Sequence, residues 1–221
     1  MTILGAHENG LLIIGAGGHA LSILDFLLEI AGGQVLGLVD RSAGATQARI
    51  MGLPVWGEEE ALGRFASKKR PALIMGVGCT ESDLGRWVLY NSLKEKGFSF
   101  CTVIAPSAVV SARSELGEGS VIMRLAMVGT GARLGEAGII NTAAVVEHDC
   151  RLGSNVHVAS RATLLGRVES GDHVLFGAGC VVRQQVKISS RVTIGAGSVV
   201  LEDLPPGSVC YGNPCKVRRK I

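Results

Sequence analysis

The adjacent residues His148 and Asp149 are the pair in this 221-residue sequence best suited to chemistry. A histidine has an ordinary pKa of about 6.5, so at neutral pH its imidazole can take a proton from an attacking hydroxyl or amine. The neighbouring carboxylate can orient the ring through its second nitrogen and stabilise the imidazolium that forms. The residues alone leave two interpretations open, a general base and a solvated histidine in a turn.

A six-residue repeat in the second half of the chain determines where this pair lies. Large apolar residues recur at every sixth position from Ile104 to Val200, and sixteen of these 17 positions conform, with Ser170 as the exception. A small or β-branched residue usually follows four positions later, so it faces the same side of a strand as the next apolar residue. A short strand and a turn in each repeat predict a parallel β-helix with about 18 residues per coil over residues 104–221.

The repeat assigns a position to the other polar residues near the pair. His148 lies two residues after an inward Val146, in a turn, whereas His157 lies between two inward valines and must face outward. The two histidines are nine residues apart, half a coil, so they can share a site only if they come from different chains. Asn141 occupies a turn position where an amide tolerates φ > 0 or helps to position an acceptor.

Two further residues are interpreted from the same register. Gly166 lies one coil after His148, where a glycine leaves room and an N–H for a thioester oxygen. His173 has no matching role, and we predict a solvated turn residue. Positions 148, 157 and 173 are not separated by multiples of the coil length, so the three histidines cannot converge on zinc, and we expect no metal.

The first half of the chain alternates between strand-like and helix-like segments, which predicts a small Rossmann-like parallel sheet over residues 1–103. The predicted helices are His19–Ile30, Glu58–Lys69 and Glu81–Lys96. The predicted strands are Leu11–Ile14, Val35–Val39, Ala72–Val77 and Ser99–Ile104.

A glycine-rich loop of the form GxGxxA joins the first strand to the first helix, with Gly15, Gly17 and Gly18 at its start. Such glycines let a phosphate approach the backbone, and the helix N-terminus favours its negative charge. Asp40 ends the next strand, where a carboxylate commonly accepts hydrogen bonds from a ribose or a base. Gly78 marks a turn at the same sheet edge and is a weaker candidate. These features suit a nucleotide sugar and NAD equally well, although a β-helix rather than a hydride-transfer domain follows.

Composition argues against several classes of function. The formal net charge of +3 is too small to indicate nucleic-acid binding. The apolar run Leu11–Ile14 is far too short to span a bilayer, and no signal-length segment precedes it. The six cysteines form no CxxC pair, which favours reduced, buried residues. We therefore expect a soluble, cytoplasmic protein with neither a nucleic-acid nor a membrane partner.

Three features together resemble one known family: the loop segment Ile14–Ala20, the hexapeptide half, and the Asn-x6-His-Asp-x7-His spacing within and after Ile140–Cys150. They are similar to the bacterial sialic-acid O-acetyltransferase and UDP-4-amino-sugar N-acetyltransferase family (NeuD/PglD-like). The resemblance covers nearly the whole chain. It implies a left-handed β-helix, a homotrimer with active sites between subunits, acetyl-CoA as donor, and a nucleotide-linked amino sugar as acceptor. The family more often has Glu at the position of Asp149.

The resemblance also implies roles for individual residues. His148 would be the general base, and His157 would contact the thioester side of acetyl-CoA. The acceptor would contact the glycine loop and further residues of both domains, namely His19, Asp40, Arg41, Gly78 and Asn141. The C-terminal segment resembles the one that closes many hexapeptide acyltransferases, so its residues Lys216 and Arg218 either pair with CoA phosphates or form a solubilising tail.

The function expected from the resemblance is N-acetylation of a nucleotide-linked amino sugar, a 4-amino-4,6-dideoxy sugar, by direct attack on acetyl-CoA. O-acetylation of sialic acid or another sugar hydroxyl would use the same base. A non-catalytic β-helix that binds a nucleotide sugar is the alternative from another class, and the pair His148-Asp149 argues against it.

Overall fold

The computed structural model describes residues 3–4, 8–41, 49–65, 70–79 and 84–221. It contains a small α/β sheet domain followed by a parallel β-helix, which confirms the predicted architecture. The helices are α1 (Gly18–Ala31), α2 (Glu58–Arg64) and α3 (Gly85–Glu95), with a 3-10 turn at Gly32–Gln34. The outer ends of two predicted helices, residues 66–69 and 81–83, lie outside the described residues.

The N-terminal sheet has five strands, in the spatial order Arg49–Ile50, Leu53–Trp56, Val35–Val39, Leu11–Ile14 and Ala72–Met75. Its strands are parallel except for the antiparallel pair at one edge. The central strands are continuous apolar runs because helices cover both faces of the sheet. α1 packs on one face, and α2 and α3 pack on the other. The edge pair was not predicted from the sequence, since its strands are short and one contains a proline.

The β-helix consists of three sheets whose strands follow one another around each coil. The first sheet contains Thr102–Ile104, Val121–Ile122, Ile139–Ile140, His157–Val158, Leu175–Phe176, Val192–Ile194 and the closing hairpin Ser208–Gly212 and Cys215–Lys220, with Ile3–Leu4 antiparallel at its start. The second contains Val109–Val110, Met127–Val128, Val145–Val146, Thr163–Leu164, Val181–Val182 and Val199–Val200. The third contains Glu115–Leu116, Arg133–Leu134, Arg151–Leu152, Glu169–Ser170 and Lys187–Ile188.

Each corner of the β-helix is turned by a residue in the left-handed conformation. This residue lies three positions after the inward apolar residue, and from 119 to 197 every sixth residue adopts it. Ten of these residues are not glycine and have φ between +52° and +65°. The expectation that Asn141 takes a positive φ was wrong, because Ala143 is the residue of that turn with φ +55°. Stacked coils hydrogen-bond to one another along the sheets and so hold non-glycine residues in this less favourable region.

The glycines that follow the inward residues have a different cause. At Gly135 an added Cβ would lie 2.7 Å from the backbone carbon of Gly153 and 2.7 Å from the nitrogen of Ser154. The next coil therefore approaches too closely for any side chain. Glycine is required at these positions because the coils lie in close contact, and not because the backbone adopts a special φ.

The N-terminal domain covers the first sheet of the β-helix and both of its corners. At the corner between the first and second sheets, Arg124 forms ion pairs of 2.8 Å with Asp25 and Glu29 of α1. At the corner between the third and first sheets, Lys94 of α3 binds Glu118 at 2.9 Å and Glu136 at 3.4 Å. The corner between the second and third sheets is the one opposite this domain.

We predict that Gly135→Ala destabilises the β-helix by about 1–3 kcal/mol, because the new methyl group must push two coils apart. Urea unfolding measures the effect. Gly63→Ala in α2 is the matched control: no atom lies within 4 Å of its Cβ position, and alanine favours helix there. A Gly135→Ala variant as stable as the unchanged protein would contradict the close approach of the coils.

Candidate active site

The pair His148-Asp149 lies at the corner opposite the N-terminal domain. The Nδ1 atom of His148 is 3.0 Å from Oδ2 of Asp149, so Asp149 reaches the ring although it is shorter than Glu. The carboxylate can only accept, so Nδ1 carries a proton and Nε2 is left with its lone pair. Both side chains are about half exposed, at 51% and 53%. The imidazole of His148 therefore offers the lone pair of Nε2 to a ligand bound at this corner.

Two glycines in the neighbouring coils make room for this pair. An added Cβ on Gly166, one coil later, would overlap the imidazole of His148 at Nε2. An added Cβ on Gly131, one coil earlier, would lie 2.7 Å from Oδ1 of Asp149. We expected Gly166 to leave room for the coenzyme, whereas the space over its Cα is occupied by the imidazole itself. The glycine thus sets the position of the ring.

Positive charge surrounds Asp149. The hydrogen bond from His148, together with Arg167 and Arg151, lowers the pKa of this carboxyl below its ordinary value. The Nε atom of Arg167 is 3.8 Å from Oδ2 of Asp149. A groove of about 520 Å³ follows the same corner, lined by Gly131, Arg133, Asp149, Arg151, Arg167 and Glu169. Its three arginines suit an anionic ligand.

A second concave site lies at the carboxyl edge of the N-terminal sheet. A cavity of about 350 Å³ opens there, lined by apolar side chains and by Gly15, Asp40, Arg41, Gly78 and Arg86 among other residues. Gly15 has φ +103°, which a side chain would disfavour. One carboxylate oxygen of Asp40 accepts a 2.8 Å hydrogen bond from the N–H of Ala16, so this residue holds the glycine loop.

The rest of the predicted loop residues line up along this edge. No atom lies within 4 Å of the Cβ positions of Gly17 and Gly18, so a ligand can approach the start of α1. A Cβ added to Gly78 would lie 3.5 Å from the Cβ of His19. Arg41 donates a 2.8 Å hydrogen bond from Nε to Glu58. The positions predicted from the sequence as acceptor-binding in this domain therefore gather at one edge of the sheet.

His157 does not lie on a free surface. It points outward from the β-helix as predicted, but the N-terminal domain of the same chain covers it, and only 8% of it is exposed. Its Nδ1 donates to the carbonyl of Cys79 at 2.8 Å, so its Nε2 accepts from the amide of Asn141 at 3.1 Å. Both ring nitrogens are engaged within the chain, which argues against the expected contact between His157 and a thioester.

His19 completes this buried junction. Its Nε2 atom is buried and has no hydrogen-bond partner among the described residues. Burial, together with the proximity of His157 and Arg86, lowers the pKa of His19 to about 4. Burial likewise lowers the pKa of His157 to about 4, against the opposing effect of the Cys79 carbonyl and with a smaller contribution from Arg86. Both imidazoles are therefore neutral at pH 7.

The sequence analysis did not identify Arg86, whose side chain joins the two domains. It is 4% exposed and donates from Nε to the carbonyl of Val77 at 2.8 Å. Its Nη1 donates to the carbonyl of Ala137 and, at 2.8 Å, to Oδ1 of Asn155. The available signal was its spacing, since it shares one helical face with the buried Tyr90 and Leu93.

His173 lies in a turn, as predicted, with φ +59°, but it is only partly exposed to solvent. Its ring lies edge-on to Trp87 of α3, with 5.6 Å between ring centroids. Its Nδ1 is 3.2 Å from the amide nitrogen of Asn155. Burial lowers the pKa of this imidazole. It therefore packs at the domain boundary.

The C-terminal basic residues lie on the closing hairpin of the first sheet. Lys216 and Arg218 are exposed there, and the guanidinium of Arg218 lies 5.1 Å from the ring centroid of Tyr211. Within the described ranges, no three His, Cys, Asp or Glu side chains are grouped so that they could hold a metal ion. In the same residues, no helix combines the length and apolar character needed to cross a membrane.

Comparison with known proteins bears on both domains. Residues 10–82 match the PglD N-terminal domain family. The acetyltransferase domain of PglB from Neisseria gonorrhoeae FA1090 is 34% identical, with a TM-score of 0.83 over 96% of this chain and 100% of that one. PerB from Caulobacter crescentus, in complex with CoA and GDP-perosamine, is 35% identical, with a TM-score of 0.84 over 95% of this chain and 97% of that one.

The PglB domain in complex with acetyl coenzyme A matches equally well, with 34% identity, a TM-score of 0.83 and coverage of 95% of this chain and 99% of that one. The chain belongs to the NeuD/PglD-like family of hexapeptide-repeat acyltransferases. It is therefore an acyltransferase enzyme. No match was found among curated protein sequences.

The two buried histidines of this acyltransferase predict a loss of stability in acid. An unfolded histidine binds a proton below about pH 6.5, whereas His19 and His157 resist protonation until about pH 4. The unfolded state therefore binds more protons in this window, and stability falls as the pH falls from about 6.5 to about 4. We expect a loss of about 2 kcal/mol per histidine between pH 7 and pH 5, measured by urea unfolding.

His157→Gln removes one of these groups and should flatten the pH dependence. Gln184→Asn is the matched control, since Gln184 is exposed and does not titrate, and it should leave the pH dependence unchanged. If His157→Gln loses as much stability in acid as the unchanged protein, the neutral state of His157 is contradicted.

Proposed function

We propose that this acyltransferase moves an acetyl group from acetyl-CoA to the amino group of a nucleotide-linked amino sugar, with His148 as the general base. The observation that carries this proposal is the hydrogen bond between Nδ1 of His148 and Asp149, which leaves Nε2 basic and accessible. The relatives bound to acetyl coenzyme A, or to CoA and GDP-perosamine, support the donor and the class of acceptor. A 4-amino-4,6-dideoxy sugar remains the acceptor we favour.

The chemistry is a direct transfer. The acceptor nitrogen attacks the thioester carbonyl carbon, and Nε2 of His148 takes the proton that this nitrogen loses. The carbonyl oxygen becomes an oxyanion, and we propose that the N–H of Gly166 stabilises it, since this N–H donates no backbone hydrogen bond to a described residue. Collapse of the tetrahedral intermediate then breaks the C–S bond, and the coenzyme A thiolate takes the proton from His148.

A cysteine nucleophile is disfavoured beside this base. Cys150 is the cysteine nearest to His148 in the sequence, and it is buried inside the β-helix, where burial raises the pKa of its thiol to about 11. A thiol that stays protonated at neutral pH is a poor nucleophile. An acetyl-enzyme intermediate on this residue is therefore not part of the proposed mechanism.

The nucleotide of the acceptor is proposed to bind at the carboxyl edge of the N-terminal sheet. The glycine loop and the N-terminus of α1 favour its diphosphate, with Asp40 and Arg41 near the ribose and base. The junction residues face the reacting sugar, and they are His19, Gly78 and Asn141. His157 holds the amide of Asn141 in place rather than touching the donor.

The donor is proposed to lie along the β-helix. Lys216 and Arg218 on the closing hairpin are available for the phosphates of CoA, and the arginine groove beside Asp149 offers further positive charge. With acetyl-CoA as the donor, the reaction is proposed to take place in the cytoplasm.

The arrangement of the domains supports a homotrimer with active sites between subunits. Within one chain, the acceptor cleft is attached to the first sheet, and the base lies at the corner opposite that sheet. A triangular cross-section separates the two by the full width of the β-helix. Closed cyclic symmetry brings the corner of one subunit to the cleft of the next and completes each site.

We predict that the protein releases coenzyme A thiol from acetyl-CoA only when an amino sugar linked to UDP, dTDP or GDP is present. His148→Ala should lower kcat/KM by about 10²–10⁴-fold, because the acceptor then loses its base. A thiol-release assay across the acceptor panel measures both, with the matching 4-hydroxy sugars as a test for O-acetylation.

Arg113→Ala is the matched control for this assay. Arg113 is an exposed turn residue at the same corner, two coils before Asp149, and its removal should leave kcat/KM unchanged. Thioester turnover that survives unchanged in His148→Ala with every acceptor would exclude the base mechanism.

A further inference from the structure

Arg86 is a buried cation without a carboxylate partner among the described residues. Its hydrogen bonds go to neutral oxygens, namely the carbonyls of Val77 and Ala137 and the amide of Asn155. Its second terminal nitrogen, Nη2, is buried and has no hydrogen-bond partner in the part of the chain that the structure describes. The ion pairs at the domain boundary are made by other cations, Lys94 and Arg124.

Such a charge is costly unless something compensates it. A buried cation loses its hydration, and neutral hydrogen-bond acceptors restore only part of that loss. This loss lowers the pKa of the Arg86 guanidinium to about 10, against the opposing effects of Cys79 and Tyr90. Those two neighbours are a thiol and a phenol rather than carboxylates. The guanidinium is therefore still charged at pH 7, without a fixed negative partner.

The two imidazoles beside Arg86 do not provide the negative charge that would balance its guanidinium. His19 and His157 are neutral at pH 7, and Arg86 contributes to lowering the pKa of both. The carboxylates of Asp40 and Glu58 line the same cavity, but of the three junction side chains His19, His157 and Arg86 only the guanidinium is charged. A negative ligand in contact with it would be favoured by an interaction that water screens only weakly.

Arg86 borders open space at the cavity on the carboxyl edge of the N-terminal sheet. Arg86 lines that cavity together with Gly15 and Gly78. The start of α1, where Gly17 and Gly18 leave open space, forms the other side of the same edge. A phosphate group at a helix N-terminus of this kind is favoured by the N–H groups and the helix dipole.

We propose that Arg86 supplies the positive charge that binds the diphosphate of the nucleotide-linked acceptor, opposite the N-terminus of α1. This inference rests on the proposed function and assigns a residue that neither the glycine loop nor the family resemblance indicated. The same side chain binds Ala137 and Asn155 in two successive coils of the β-helix. The diphosphate is thereby anchored to the β-helix as well as to the nucleotide domain.

The test compares nucleosides with nucleoside diphosphates by isothermal titration calorimetry. Guanosine and GDP, uridine and UDP, and thymidine and dTDP are titrated into the full-length protein, and the best-bound pair is carried forward. The unchanged protein should bind the diphosphate at least about tenfold more tightly than the nucleoside, as expected for hydrogen bonds to charged groups. Arg86→Gln should reduce this ratio by about tenfold or more while leaving nucleoside affinity within about threefold.

Arg86→Lys keeps the charge and should keep most of the ratio. Arg64→Gln is the control for loss of an exposed cation in the same domain, since Arg64 lies outside the cavity, and it should leave the ratio unchanged. Circular dichroism melting of each variant reports whether it is folded. If Arg86→Gln does not fold, the lysine variant decides, because a folded Arg86→Lys protein without preference for the diphosphate overturns the proposal.

The outcomes separate this inference from the proposed function. If the unchanged protein acetylates an amino sugar and prefers the diphosphate, but Arg86→Gln has the same preference, Arg86 is only a structural link and the inference is overturned. If the unchanged protein binds none of the six ligands and acetylates no nucleotide sugar, the proposed function fails and the inference fails with it. A preference that falls in Arg86→Gln and persists in Arg86→Lys supports the proposal.

Discussion

The constraint on which this structure depends is the parallel stacking of coils that are each 18 residues long, as the pairing of Ile139 with His157 illustrates. The hydrogen bonds between coils fix the register, so residues one coil apart lie directly above one another. This register explains why the space beside His148 and Asp149 is kept by glycines at positions 166 and 131. The side chains of this pair are held in place by the backbones of the neighbouring coils.

The attachment of the N-terminal domain gives each face of the β-helix a different role. Its helices cover the first sheet and the two corners beside it, with Arg124, Lys94 and the buried Arg86 as the polar contacts. The corner that carries His148 is left on the far side. The cavity of the N-terminal domain and the pair His148-Asp149 are therefore built on separate parts of one chain, and we propose that a second copy of the chain brings the two together. The need for two neighbouring subunits at each active site is the central claim of the proposed mechanism.

Local pattern was enough to predict the β-helix and the turn position of His148, because a repeat that keeps its register over 17 positions is compatible with few other folds. The alternation predicted three of the strands and the three helices of the N-terminal domain. It missed the edge pair, and the strand predicted at Ser99–Ile104 is Thr102–Ile104 in the first sheet of the β-helix. What the pattern did not contain was contact between the domains. The covering of His157, the packing of His173 on Trp87 and the burial of Arg86 all arise where α3 and the Val77–Cys79 turn meet the β-helix. The spacing of residues within either half of the chain does not predict the surface where the two domains meet.

The backbone conformation of the turns was the other feature that could not be predicted from the sequence. Glycine and asparagine suggested a positive φ near Asn141, yet the left-handed residue of that turn is Ala143. The stacked coils impose the same conformation on leucine, arginine and glutamine at equivalent positions. Tertiary hydrogen bonding outweighs the local preference, and for that reason residue type was a poor guide to the turn.

The most direct test of transfer between subunits is a subunit-mixing experiment. His148→Ala lacks the base and Asp40→Ala lacks a cleft residue, and each variant alone should form nearly inactive trimers. Trimers reassembled from an equal mixture should regain about a quarter of the unmixed activity, because a quarter of the sites then combine an intact cleft with an intact base from the neighbouring chain. Mixed trimers that stay as inactive as either parent would contradict an active site shared between subunits.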